Sequence, residues 1–174
     1  TADAVVSGAV SVASGKTLDL ATATLSGTLS GEGTVTVDNA TVAASTTLNA
    51  DSGNVNMDAA TVAGTLNVND DVTIGTATVT GTINVAADAT LTVSTSVSGA
   101  GKIVAAAEGA KIAVGSSANA TDLLAMVNDG VKFYDNNGDE ITEAANLANK
   151  TFVWREAGWD QASARATGKP AGWV

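Results

Sequence analysis

The stretch Ala60-Thr61-Val62-Ala63-Gly64-Thr65-Leu66-Asn67-Val68 returns 17 residues later as Ala77-Thr78-Val79-Thr80-Gly81-Thr82-Ile83-Asn84-Val85. The two stretches agree in their apolar positions, their glycine and their asparagine. Within each, apolar and polar residues alternate with the period of two that is typical of a β-strand. Similarity at a short, recurring spacing indicates a repeat architecture. The sequence therefore predicts short strands that stack coil upon coil.

Each repeat contains three apolar positions, which we call nodes. The first node is an apolar doublet, and successive doublets begin 17, 20, 17, 19 and 21 residues apart, at Leu18, Val35, Val55, Val72, Leu91 and Ile112. The second node is predicted at Leu25, Val42, Val62, Val79 and Val97, and the third at Leu29, Leu48, Leu66, Ile83 and Ile103. Val6 and Val10 fit the second and third nodes, so the array begins within a repeat.

Three nodes in each repeat predict an all-β, three-sided parallel β-helix of five to six coils over residues 1–115. Thr, Val and Ile favour strands, and Gly, Asp and Asn between the nodes favour turns. We favour a right-handed solenoid, because left-handed β-helices usually keep a stricter hexapeptide rhythm. An antiparallel sandwich is the main alternative, but its strands need wider spacing and it gives no reason for the repeats to resemble each other.

An asparagine follows the third node in three successive repeats, at Asn49, Asn67 and Asn84. In the predicted register these side chains form an outward column, in which stacked amides can hydrogen-bond along the axis of the rod. Three separately solvated side chains are the equal alternative.

Residues 116–174 differ in composition from the rest and contain all six aromatic residues. Because the last coil of a solenoid exposes strand edges, we expect this C-terminal segment to form a small α+β cap. No equivalent cover is predicted at the N-terminal end. The predicted elements of the segment are a helix at 118–129, a hairpin of 131–134 with 140–142 around Asn136-Asn137-Gly138, a helical turn at 143–149 and a strand at 151–155.

The composition argues against most catalytic chemistry. The chain contains no histidine and no cysteine, which removes the common general base and the usual zinc ligands. Asp70-Asp71 and Asp139-Glu140 are adjacent carboxylates, but neighbours on a strand point to opposite faces. The loop Asp135–Glu140 fails the EF-hand pattern and is interpreted as a hairpin turn. We predict a protein that is not an enzyme, with no cofactor and no metal site.

The charge and hydropathy of the chain limit the classes of partner that it can bind. A formal net charge of −10 argues against binding to nucleic acid, which requires clustered Lys and Arg. No apolar run is long enough for a membrane span. A surface glycan is a candidate ligand, because Trp154, Trp159 and Trp173 can form a stacking platform. The favoured interpretation is that these rings fill the cap core or an interface. Glycosylation sequons begin at Asn39, Asn119 and Asn149.

Two stretches share an S-G-x-G-x-[ILV] rhythm, Ser30-Gly31-Glu32-Gly33-Thr34-Val35 and Ser98-Gly99-Ala100-Gly101-Lys102-Ile103. In this rhythm the chain resembles the repetitive β-helical passenger regions of bacterial autotransporters and filamentous-haemagglutinin-like exoproteins. The resemblance covers residues 5–115 only. It implies a rod that is exported to the cell surface, and it says nothing of the C-terminal segment.

The favoured function is an exported structural subunit that assembles head to tail into an extracellular filament, at the cell surface or in a biofilm matrix. The start at Thr1 favours removal of a signal peptide. Unlike ends predict a heterologous self-contact, which gives a filament. An adhesin or passenger-type spacer is the alternative, and a glycan-acting β-helix enzyme is a weaker one. The predicted assembly residues are Val5, Val6, Val10, Val12, Trp159, Trp173 and Val174.

Overall fold

A computed structural model describes residues 3–116, 119, 121–127, 131–160 and 168–174 of the 174-residue chain. Up to Val114 it consists of β-strands joined by short turns. These strands are β1 (Ala4–Val6), β2 (Ala9–Ser11), β3 (Thr17–Leu25), β4 (Gly27–Gly31), β5 (Thr34–Val42), β6 (Thr47–Ser52), β7 (Val55–Val62), β8 (Thr65–Val68), β9 (Val72–Val79), β10 (Thr82–Val85), β11 (Thr90–Ser98), β12 (Lys102–Ala105) and β13 (Lys111–Val114).

The strands alternate between two parallel sheets. One sheet contains the odd-numbered strands in the order β1-β3-β5-β7-β9-β11-β13, and the other has the order β12-β10-β8-β6-β4-β2. Each coil adds one strand to each sheet and lies directly on the coil before it. This arrangement is a β-solenoid of about six turns, which confirms the predicted fold class.

The long strands of the first sheet form two of the three sides. Pairing of β5 with β7 runs from Val35 to Val37 and resumes at Asn39, leaving Asp38 and Asp58 unpaired at the corner. The burial pattern changes phase at the same point, since Val37 and Ala40 are both buried although two exposed residues, instead of one, lie between them. A bend therefore divides each long strand, and the shorter strands supply the third side. The handedness stays a prediction.

The first-node doublets stack in the predicted register. Leu18 pairs with Val35, and the column continues through Val55, Val72, Leu91 and Ile112. Inward side chains of all three sides form a continuous core of Val, Leu, Ile and Ala. At about 25 cal/mol per Å² of buried apolar surface, this column is the main favourable term in folding. Its narrow interior contains no aromatic ring.

Two of the predicted node matches are wrong, one at the third node and one at the second. At the third node, Leu29 does not pair with Leu48: Leu29 pairs with Ala50, and Leu48 lies opposite Gly27. The turn before β6 contains extra residues, closed by the Thr46 hydroxyl, which donates to the Ala43 carbonyl at 2.7 Å.

Val97 pairs with Ala77 and not with Val79. Here two residues, Ser94 and Thr95, occupy the corner that Gly75 occupies alone in the previous coil. In both cases extra residues at a corner shift the pairing between coils, and the apolar pattern does not show where those residues lie.

The two S-G-x-G stretches have one physical basis. Gly31 and Gly99 have positive φ angles of 100° and 108°, a region that L side chains rarely adopt. A Cβ at Gly31 would collide with the carbonyl oxygen of Val12, and one at Gly99 with that of Val79. The glycines therefore allow the turn to lie against the backbone of the preceding coil.

The C-terminal segment extends the first sheet, and the strand that joins it to β13 is antiparallel. Its elements are α1 (Thr121–Met126), β14 (Lys132–Tyr134), β15 (Glu140–Ile141), a 3₁₀-helix (Ala144–Leu147), β16 (Thr151–Arg155) and β17 (Gly172–Trp173). β16 pairs with β13, so that Phe152 lies opposite Ile112, and β17 joins β16 to β14 and its hairpin partner β15. The pair of β14 with β15 and the strand β16 lie where the sequence places a hairpin and a strand.

Two details of the prediction differ from the structure. The described helix spans Thr121–Met126, within the predicted 118–129, whose residues 118, 120, 128 and 129 lie outside the described part. The sequence predicts no element after residue 155, but a two-residue strand, β17, holds Trp173 in the core. Too few apolar residues alternate there to give a strand signal.

We expect truncation of a stacked node to destabilise the rod. Val62→Ala removes two buried methyl groups between Val42 and Val79, and should lower the free energy of unfolding by about 2 kcal/mol in urea titrations. The matched variant Val5→Ala alters a side chain that is 75% exposed and should have little effect. Equal effects of the two variants would contradict the assigned core.

Candidate assembly edges

The N-terminal end of the solenoid has strand edges without a partner. Among the described residues, no strand pairs with the outer edges of β1, β2 or the first half of β3 (Thr17–Leu20). The inward side chains of this end, including Val6, Val10 and Leu18, are only half-buried. Backbone groups and apolar surface are thus both available on all three sides.

The hydrogen bonds between β2 and β4 identify which residues of β2 direct their backbone N–H and C=O groups toward the open edge. The Thr28 N–H donates to the Gly8 carbonyl at 2.8 Å, and the Val12 N–H donates to the Ser30 carbonyl at 2.9 Å. Successive residues of a parallel strand direct their N–H and C=O groups to alternate neighbours. Ala9 and Ser11 therefore direct their backbone groups away from β4, toward the open edge.

The C-terminal end is covered on two sides and open on the third. β16 occupies the edge of β13, and Asn119 bridges to Ser96 at the edge of β11. No described strand pairs with the outer edge of β12. Lys102 N–H donates to Gly81 and Ala106 N–H donates to Val85, at 2.9 and 2.8 Å. By the same alternation, Ile103 and Ala105 direct their backbone groups outward.

The two large apolar side chains that are exposed in the described part of the chain lie on these end strands. Val5 of β1 is 75% exposed, and Val104 of β12 is 41% exposed. Val5 ends an outward column that continues as Thr24, Thr41, Thr61, Thr78 and Ser98. Val104 ends the column that contains Asn84 and Asn67. These two outward columns are therefore polar along the rod, and each has a valine at one of its two ends.

The predicted assembly residues fall into two groups. Val5, Val6 and Val10 lie on the end strands β1 and β2, whereas Val12 is only 7% exposed and is already covered within the chain, so we do not assign it to the assembly surface. Trp173 is 1% exposed and Trp159 is 9% exposed, so both rings are already covered inside the C-terminal segment. Val174 exchanges backbone hydrogen bonds with Val153. Because these C-terminal groups are engaged within the chain, we no longer assign them to the assembly surface.

The aromatic residues pack against one another instead of forming a platform. Trp154 and Trp173 meet edge to face with centroids 5.3 Å apart, and Phe133 meets Phe152 at 4.8 Å. The Trp159 indole N–H donates to the Pro170 carbonyl at 3.0 Å. This confirms the favoured interpretation of these rings as core. The sequons at Asn39, Asn119 and Asn149 have exposed asparagines, and their glycosylation stays a prediction.

The predicted asparagine ladder is confirmed. Asn84 Nδ2 donates to Asn67 Oδ1 at 2.9 Å, and Asn67 Nδ2 donates to Asn49 Oδ1 at 2.7 Å. Asn49 Nδ2 lies 3.4 Å from Thr28 Oγ1 at the far end of the column. The side chains are half-buried, so each amide bond is partly protected from water.

The adjacent carboxylates serve turns and ion pairs. Asp71 N–H donates to Asp70 Oδ1 at 2.8 Å, and Thr90 N–H donates to Asp71 Oδ1 at 3.1 Å. Glu140 forms an ion pair with Lys132 at 2.6 Å. Within the described residues, no group of three or more Asp or Glu side chains is arranged to hold a metal ion. The absence of enzymatic activity stays a prediction.

The loop Asp135–Glu140 forms the turn of a hairpin. Asp135 Oδ1 accepts hydrogen bonds from the N–H groups of Asn137 and Asp139 at 2.8 and 2.9 Å. These bonds, that from Asp139 foremost, lower the pKa of Asp135 below its usual range, with a smaller contribution from the charge of Lys150. The carboxylate therefore stabilises the turn while it is ionised.

The fold and the edges together define a β-solenoid whose two ends differ. Comparisons with protein families, curated proteins and solved structures found no match to this chain. The resemblance to autotransporter and haemagglutinin-like passengers thus remains a prediction. No helix in the described part of the chain is long and apolar enough to cross a membrane.

The asparagine ladder should contribute to stability in a graded manner. Asn67→Ala removes both amide bonds of the column and should lower the free energy of unfolding by about 2 kcal/mol. Asn84→Ala removes one bond and should lower it by about 1 kcal/mol. Chemical denaturation measures both, and a terminal variant as costly as the central one would argue against an interacting column.

The titration of Asp135 should report on its turn. Because its folded pKa is depressed, its stabilising contribution is present above the unfolded pKa and is lost as the pH falls through the folded pKa. Carboxyl-detected NMR should give a midpoint below the ordinary value. Asn137→Pro removes one backbone donor and should raise this midpoint part of the way, while Asn137→Ala keeps the donor and should raise it less. A midpoint that is the same in both variants would contradict the assigned hydrogen bond.

Proposed function

We propose that this protein is an exported structural subunit that assembles head to tail into an extracellular filament. The single observation that carries the proposal is that both ends of the solenoid present a strand edge, each with an exposed valine, and that the two ends are unlike. A contact between unlike surfaces repeats without closing when its rotation does not form a ring. The geometry therefore suits a filament better than a closed dimer.

The unprotected state of the N-terminal edge supports this role. Soluble proteins commonly block their edge strands with a lysine, a proline or a bulge. β1 has the sequence Ala-Val-Val and β2 has Ala-Val-Ser, without a charge or a proline. Pairing with another strand would satisfy their outward backbone groups, as in β-strand addition.

The second candidate is a spacer or adhesin rod. The parallel register of β1 on β3 and of β2 on β4 would accept a further coil of the same polypeptide equally well. In that case the edges are interior positions of a longer solenoid. The polymeric state of the purified chain separates the two roles, because only the first requires contact between copies.

A backbone substitution on the edge tests the filament directly. Ala9→Pro removes the outward N–H of β2 without removing a bond to β4, and the added ring obstructs a neighbouring strand. We expect the unmodified chain to form fibres in negative-stain electron microscopy, and Ala9→Pro to remain monomeric in light scattering.

Ala9→Thr is the matched control, since it keeps the N–H and is a β-branched residue suited to a strand. It should assemble as the unmodified chain does. Circular dichroism of all three proteins establishes that each is folded. An unmodified chain that stays monomeric at every concentration would refute the filament and favour the spacer.

A further inference from the structure

We propose that the free edge of β12 is the acceptor for the next subunit, and that β2 of a second copy adds there as a parallel strand with its Ala9 beside Val104. The proposal rests on the proposed function and specifies its contact. β2 and β12 are the terminal strands of the same six-stranded sheet. Adding one to the other continues that sheet from one copy into the next.

The hydrogen-bonding groups of the two edges match in this register. Ala9 and Ser11 direct their N–H and C=O groups outward from β2, and Ile103 and Ala105 do so from β12. With Ala9 beside Val104, the Ala9 N–H faces the Ile103 carbonyl, and the Ala9 carbonyl faces the Ala105 N–H. A shift by one residue would place groups that are already bonded within each chain opposite the free ones and would turn the side chains to the wrong face.

The side chains fit in the same register. It places Ile103 over Gly8 and Ala105 over Val10, so that each large side chain meets a small one. The chain already uses this arrangement internally, where Leu48 lies over Gly27 and Ala50 over Leu29. The proposed contact therefore repeats a packing step that is stable inside the rod, and Val104 gains an apolar neighbour in Ala9.

A groove lies beside the outer edge of β12. It has a volume of about 200 Å³ and lies between β12 and the half-buried side chains of Val131 and Trp154, with Val127 nearby. The C-terminal segment covers the other two sides of this end. The third side is thus the one at which a strand can still join the last coil.

Charge favours contact between unlike ends of two copies. Residues 1–101 contain nine acidic residues and one lysine, whereas residues 102–174 contain nine acidic and seven basic residues. Two N-terminal ends would join the two more acidic parts of the chain, and their edge strands would pair antiparallel. An N-terminal end on a C-terminal end lowers this repulsion and keeps the strands parallel.

Disulfide trapping tests the register, because the chain has no cysteine of its own. Neighbouring Cα atoms of paired strands lie about 5 Å apart, within the range that a disulfide spans. Chains with Ala9→Cys and chains with Val104→Cys, mixed and mildly oxidised, should give a covalent heterodimer. The double variant in one chain should give a ladder of covalent oligomers on a denaturing gel. Both positions are exposed, so the variants should fold.

Val5→Cys mixed with Val104→Cys is the matched control. Val5 is exposed, as Ala9 is, but it lies on the other sheet, so we expect at least tenfold less cross-linking. If fibres form and the two mixtures cross-link equally, or neither does, the β12 contact is wrong and head-to-tail assembly stands. If no fibres form and no heterodimer is trapped, both proposals fail.

Discussion

The structure depends on one constraint, which is that every coil satisfies its backbone on its neighbours. Within the rod, strands pair with strands of the neighbouring coils and not with strands of their own coil. For example, Thr17–Leu25 bonds to Ala4–Val6 on one side and to Thr34–Val42 on the other. The register of one coil is therefore transmitted to the next through the hydrogen bonds, and the inward columns follow from it. The same constraint guarantees that a first and a last coil have edges to satisfy.

The stacking also explains why the side-chain chemistry is so limited. A position that faces inward must fit the residues above and below it, so Val, Leu, Ile and Ala occupy these columns. An outward position must tolerate an identical neighbour about 4.8 Å away. Threonine and asparagine do so by hydrogen bonding or close packing, whereas a column of like charges would repel. In the column of Asn49, Asn67 and Asn84, the amide groups tolerate this close stacking because each donates a hydrogen bond to the next.

The apolar doublets sufficed to predict the coil number and the register of the first side, because those features repeat with little variation. The column of asparagines followed from their position after the third node, but only the structure separates a hydrogen-bonded ladder from solvated side chains. The positions of corner insertions could not be predicted. Leucine matched leucine in the sequence, but the turn before Leu48 placed it over Gly27. The edge at Val104 was missed for a related reason. Its only signal was a valine in the column where Asn49, Asn67 and Asn84 precede it, and that signal has meaning only once the register is known.

The two ends manage their edges in opposite ways, and this difference gives the molecule a direction. At one end an antiparallel strand, Thr151–Arg155, ends the parallel sheet, since its reversed direction cannot continue the coil. At the other end, β1 and β2 run in the same direction as the strands of the rod and keep the same alternation of inward and outward residues. They contain no charged residue or proline that would block a further strand. A strand that continues the coil at this second end lies parallel to it, with the same alternation of inward and outward residues. The register of the first coil therefore sets the direction and the side-chain alternation of any strand that extends the rod.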